Sequence, residues 1–150
     1  MTLASVERPE ARGRLDLIRV RDVVHRGIFA VGVEAPLQEA ARVMADRSVH
    51  CVVVRAADQE ADVDPAARLW GVISELDLLA AVAAGGFAER MAGDTAVTPL
   101  VVVDLDDTLL HAVETMHEQK VTHLVVVDHR HGGEAVGVVS ALDVARVLAG

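Results

Sequence analysis

Gly71-Val72-Ile73-Ser74-Glu75-Leu76-Asp77 returns 66 residues later as Gly137-Val138-Val139-Ser140-Ala141-Leu142-Asp143. In each copy an apolar run runs into Ser-x-x-Asp, which marks the passage from a strand to the first turn of a helix. The helices that follow are read as Glu75 to Ala84, stopped by Gly85-Gly86, and Ala141 to Leu148, ending at Gly150. Upstream, Leu37, Ala40, Ala41 and Met44 take the i, i+3, i+4, i+7 spacing of an amphipathic helix, and Leu109, Ala112, Val113 and Met116 repeat it at an offset of 72. Strand-like runs flank both helices: Ile28 to Val33 and Cys51 to Val54 around the first, Leu100 to Val103 and Leu124 to Val127 around the second. The uninterrupted Val52-Val53-Val54 and Val125-Val126-Val127 fit strands covered on both faces. Each unit therefore reads strand, helix, strand, strand, helix, an α/β (α+β) chain made of two copies. The change of offset leaves six extra residues in the first copy, within Ala56 to Arg68. Asp58, Glu60, Asp62, Asp64 and Pro65 make that segment an expected acidic loop. It lacks the glycine and closing glutamate of a calcium-binding loop.

The 150 residues, 52% of them hydrophobic, suffice for one folded domain. Lys+Arg 14 against Asp+Glu 23 gives a net charge of −9, which repels phosphate backbones and anionic membranes. Phe29, Trp70 and Phe87 are the only aromatics, so no stacking platform for single-stranded nucleic acid exists. The lone Cys51 forms no internal disulfide and is expected as a small core residue of a cytoplasmic protein. The central uncharged stretch, Leu78 to Ala88, falls short of the roughly 20 apolar residues of a spanning helix, so no membrane partner is expected. Glu7, Arg8 and Pro9 interrupt any signal-peptide core. Residues 1–16 read as a polar tail, 17–86 as the first repeat and 87–150 as the second.

The duplicated Gly-h-h-Ser-x-x-Asp, with its preceding Met-bearing helix and Val-rich strand, resembles the CBS domain, and the two copies resemble a tandem CBS pair, or Bateman module. The resemblance covers residues 17 to 149. It implies two small sheets with helices packed by pseudo-twofold symmetry, leaving two clefts between the repeats. In relatives such clefts bind adenosine-containing ligands such as AMP, ADP, ATP or S-adenosylmethionine. It also implies homodimerisation through the C-terminal helices of the repeats, where Leu78, Leu79, Val82, Leu142, Val144, Val147 and Leu148 supply apolar surface.

A carboxylate at a strand-to-helix junction can accept two hydrogen bonds from a ribose diol, and a hydroxyl with free helix N–H groups suits phosphate. Asp77 and Asp143 are the ribose candidates; Ser74 and Ser140 are candidates for phosphate or ribose hydroxyls. The same spacing is also a helix cap, in which the Asp reaches back to the Ser, and the residues alone fit both readings equally. By resemblance, Ala30, Val31, Val102 and Val103 line an adenine slot, and His50, Thr122 and His123 face the phosphates. Neutral histidines are modest phosphate ligands, which disfavours ATP more than AMP or an uncharged adenosyl group. Arg21, Arg47, Lys120 and Arg146 are the remaining cations that could reach a cleft.

No metal site is expected: His111 and His117 do not share a helix face, and His129-Arg130-His131 lacks an obvious third ligand. Neither serine lies in a Gly-x-Ser-x-Gly elbow and no Gly-rich loop precedes a lysine, so no enzyme activity is expected. Two functions fit: a sensor of an adenosine-containing ligand that signals to an effector protein on another chain, or a ligand-free dimerisation and interaction module with vestigial clefts.

Overall fold

The computed structural model describes residues 11–56, 69–96 and 100–150. The acidic segment expected as a loop lies, from residue 57 to residue 68, outside the described residues. In the first repeat, β2 (Ala30–Gly32) leads to α2 (Leu37–Arg47), β3 (Cys51–Arg55), β4 (Leu69–Ser74) and α3 (Glu75–Ala84). The second repeat follows the same order: β5 (Val102–Asp104), α5 (Leu109–Gln119), β6 (His123–Asp128), β7 (Glu134–Ser140) and α6 (Ala141–Ala149). Short elements lie outside this frame: α1 (Ala11–Asp16), a single 3-10 turn at Val20–Asp22, β1 (His25–Arg26), another 3-10 turn at Phe87–Glu89 and α4 (Ala92–Thr95).

The ladders repeat the sequence duplication. Strand β2 runs parallel to β3 with Ala30 opposite Val53, and β5 parallel to β6 with Val102 opposite Val125. Both β3–β4 and β6–β7 are antiparallel, with register shifts at Val54/Arg55 and Val126/Val127. The apolar runs Ile28 to Val33 and Leu100 to Val103 enter their ladders only in part, and Phe29, Leu100 and Val101 wall clefts instead.

Each repeat has its own core. Leu37, Ala40 and Met44 of α2 bury against Val52, Val54 and Ile73, while Leu109, Ala112 and Met116 of α5 bury against Leu124, Val126 and Val139. Leu37 and Leu109 are fully buried, each contributing roughly 1.5–3 kcal/mol by leaving water.

The chain's beginning belongs to the far repeat. Leu15 and Val20 join the second core, Val20 N–H donates to Asp107 O at 2.9 Å, and β1 pairs with β7 to complete a sheet ordered β1-β7-β6-β5. Residues 11–16, read from sequence as part of a polar tail, are instead helical: Arg14 donates to Val147 O at 2.9 Å and Leu15 is buried. Gly137 permits this arrangement, because a Cβ there would stand 2.2 Å from His25 O.

Candidate functional site

Two clefts lie between the repeats, each built from the first strands of one repeat and the Ser-x-x-Asp of the other. The larger, about 380 Å³, is walled by His25 and Arg26 of β1, by Phe29 just before β2, by His50 and Cys51 at the head of β3, and by Ser140, Asp143 and Arg146. The smaller, about 130 Å³, is walled by Leu100, Val101 and residues 120–123 of the second repeat and by Ser74, Leu76 and Asp77 of the first. The larger falls within the range of small-molecule sites, and the smaller is below it. His123 lines both.

Helix ends aim residues into these clefts. Both α2 and α5 close on a left-handed residue, Ser48 at φ 54° and Lys120 at φ 56°, a conformation uncommon away from glycine. Ser48 lines the larger cleft and Lys120 the smaller.

The capping geometry of Ser-x-x-Asp is present in both repeats. Asp77 Oδ2 accepts from Ser74 N–H at 2.7 Å and Ser74 Oγ at 2.9 Å. Asp143 Oδ2 accepts the equivalent pair from Ser140 at 2.8 and 3.0 Å. Each cap uses one carboxylate oxygen, leaving the other for a ligand. Asp77 Oδ1 has no hydrogen-bond partner among the described residues, whereas Asp143 Oδ1 accepts from His25 Nε2 at 2.5 Å and Arg146 Nη1 at 3.4 Å.

The other expected contacts are placed as follows. His50 lines the larger cleft and pairs with Glu75 at 2.8 Å; Thr122 and His123 line the smaller, with Thr122 Oγ1 3.0 Å from His123 Nδ1. Burial, then the charge of His50, holds the His123 imidazole below its usual pKa. The adenine-slot residues are displaced from the expectation. Ala30 and Val31 border a separate groove, Val103 is buried in the second core, and Val102 walls neither cleft. From these runs, Phe29 lines the larger cleft and Leu100 and Val101 the smaller. Of the outlying cations, Arg146 and Lys120 reach clefts; Arg21 pairs with Asp106, and Arg47 lies over the Phe29 ring at 5.4 Å. His25 and Arg26 were not legible as site residues; the glycine of the repeated motif, which admits their strand, was the one hint.

Burial pushes the Cys51 thiol up to about 12, so it stays protonated. Ligand atoms of Asp104, Asp106 and His129 converge within 4.8 Å, supplying partners that the sequence reading of His129 lacked. Both carboxylates are already engaged: Asp104 accepts from His129 N–H and Asp106 N–H, and Asp106 pairs with Arg21 and with Arg130 at 3.0 Å. Burial raises the Asp104 carboxyl, yet these hydrogen bonds outweigh it and hold the group below the usual carboxylate range. The cluster fastens the N-terminal segment to the turn after β6.

No helix among the described residues is long and apolar enough to cross a membrane. No curated protein matches the chain. Among solved structures it is similar to the CBS domain protein PAE2072 from Pyrobaculum aerophilum complexed with AMP, at 31% identity over 84% of this chain and 89% of that one, TM-score 0.70. It is also similar in fold to the CBS domain pair of protein MJ0100 in complex with 5-methylthioadenosine and S-adenosyl-L-methionine, at 18% identity, covering 87% and 95%, TM-score 0.70. A third likeness of fold is to the CBS domain of a bacterial CNNM/CorC family Mg2+ transporter in complex with ATP, at 21% identity, covering 93% of both chains, TM-score 0.71. The family model for the CBS domain matches twice, at residues 20–84 and 92–150, and with two such repeats joined across paired clefts the chain belongs to the CBS-domain family as a tandem pair.

Proposed function

We propose that this CBS pair is a non-catalytic, cytoplasmic regulatory module. It binds an adenosine-containing ligand in the larger cleft and passes the bound state on through homodimer or effector contacts. The observation that carries this reading is the cleft's charge. On a chain of net charge −9, it gathers Arg26, Arg146, His25, His50 and His123 around the single carboxylate of Asp143. That array suits a phosphorylated ligand whose sugar meets Asp143. The solved relatives in complex with AMP, with S-adenosyl-L-methionine and with ATP support the ligand class. With the charge of His123 disfavoured by burial and His50 tied to Glu75, the two arginines Arg26 and Arg146 suit one or two phosphates better than three, which puts AMP and ADP ahead of ATP. Regulation follows if the ligand binds one arrangement of repeats or subunits better than another.

A thermal-shift screen against AMP, ADP, ATP and S-adenosylmethionine tests the proposal. A ligand at 100 times its Kd stabilises the fold by about 2.7 kcal/mol, and Asp143→Asn is expected to abolish that gain. A flat response to all four compounds, on protein freed of copurified nucleotide, overturns it in favour of the interaction module. That second reading has its own support in the exposed rows Leu76, Leu79, Val82 and Leu142, Leu148.

A further inference from the structure

On the reading that the larger cleft takes an adenosine-type ligand, we propose that His25 is its gate. Its imidazole holds the Asp143 oxygen that a ribose diol needs, and the sugar binds only by displacing it. Ser140 occupies Asp143 Oδ2 with two hydrogen bonds, so a sugar must use Oδ1. His25 Nε2 sits on that oxygen at 2.5 Å, far closer than Arg146 at 3.4 Å. Asp143 is 4% exposed and fixed in its cap, whereas the His25 side chain is 64% exposed on a two-residue strand. The imidazole is therefore the partner able to move.

The fold does not require this contact. The first repeat builds the same cap from Ser74 and Asp77 with Oδ1 unpartnered among the described residues. At the 72-residue offset, His25 corresponds in sequence to Val97, a side chain with no polar atom. Among the described residues the contact belongs to one cleft only, the larger.

The other groups facing His25 are Arg26 on its own strand, Asp143 and Arg146 on α6, His50 and Cys51 at β3, and His123 at β6. Among them Asp143 is the one carboxylate, so it is the acceptor that holds the imidazole in this cleft, while His50 is occupied by Glu75.

Calorimetric titration with adenosine, which carries no phosphate to attract the other cations, isolates the sugar contact. His25→Ala is expected to bind adenosine about tenfold tighter than the wild type, the strength of one charge-assisted hydrogen bond. His25→Gln, which keeps a hydrogen-bond donor, is expected to bind adenosine as the wild type does and guards against a truncation that disturbs β1. Equal or weaker adenosine binding by a folded His25→Ala overturns the gate while AMP binding still stands. If neither the wild type nor His25→Ala binds adenosine, AMP or S-adenosylmethionine, the ligand reading falls and the gate with it.

Discussion

His123 stands where the two clefts meet, and both burial and the charge of His50 weigh against its protonated form. A depressed histidine pKa means that the unfolded chain binds this proton more readily than the folded one. The sign is then fixed. Nothing is lost above the unfolded-state value near 6.5, and stability declines as the pH drops from there through the lower folded-state value. Replacing His123 with Gln removes the titration while keeping a polar side chain. The wild-type melting temperature should fall from pH 7.5 to pH 5, and His123→Gln should show a smaller fall in matched buffers. Parallel pH profiles for the two proteins would show that His123 is as free to charge in the fold as in the unfolded chain. The carboxyl of Asp104 acts in the same direction but in a lower range: held low by its hydrogen bonds, it adds stability that is lost only in stronger acid. The two effects therefore separate on the pH axis.

At the scale of elements, the glycine of the repeated motif is where sequence and site are joined. The short strand β1 pairs His25 with Val138 and Arg26 with Gly137, so the backbone that presents both cleft residues rests on a position without a side chain. A methyl at Gly137 would meet His25 O at 2.2 Å and Val24 Cγ2 at 2.8 Å, both closer than any real contact. Gly137→Ala should therefore push β1 from the sheet, cost about 1–3 kcal/mol in urea unfolding and weaken AMP binding by moving Arg26. Gly32→Ala, where nothing lies within 4 Å of the added carbon, is the control. An unfolding curve for Gly137→Ala that overlays the control would mean that β1 is not held by this close approach. The same strand shows where sequence reading runs out. The helices α2 and α5 were legible because Leu37, Ala40, Met44 and Leu109, Ala112, Met116 recur at helical spacing, and β3 and β6 because their valines run unbroken. His25 and Arg26 carry no such period, being two exposed residues, and Asp143, the partner of His25, lies 118 positions away from it. Residues 11–16 escaped notice for a related reason, since one buried leucine among arginines makes no pattern until α5 is beside it. The residues expected to line an adenine slot show a limit of another kind: hydropathy sees the apolar run Ile28 to Val33, not which of its residues wall a cleft and which pair in β2.

Across the whole molecule, the duplication predicts a second pairing that the single chain leaves unmade. At the 66-residue offset, Leu76 and Val82 of α3 correspond to Leu142 and Leu148 of α6, and Leu79 corresponds to Ala145. Leu76, Leu79 and Val82 are 60–66% exposed and Leu142 and Leu148 44–48%, more large apolar surface than isolated surface residues account for. In the proposed homodimer these rows would be the contact surface, since a twofold dimer needs a surface that matches itself. A second copy would cover both rows at once, and the Leu142 that lines the larger cleft would connect that contact to the ligand. Sedimentation equilibrium is expected to give twice the 15.9 kDa chain mass for the wild type. Leu79→Asp should yield a monomer, its charge being tolerable only in water. Because Leu79 lies outside both cores, the monomer should keep its secondary structure by circular dichroism. If AMP binding is coupled to assembly, AMP should shift the wild-type dimer constant, and Leu79→Asp should alter the AMP affinity of each site by the square root of that factor, as linkage through two sites per dimer demands. A wild type that sediments at the single-chain mass would remove the dimer from the signalling route and leave these leucines to an effector protein.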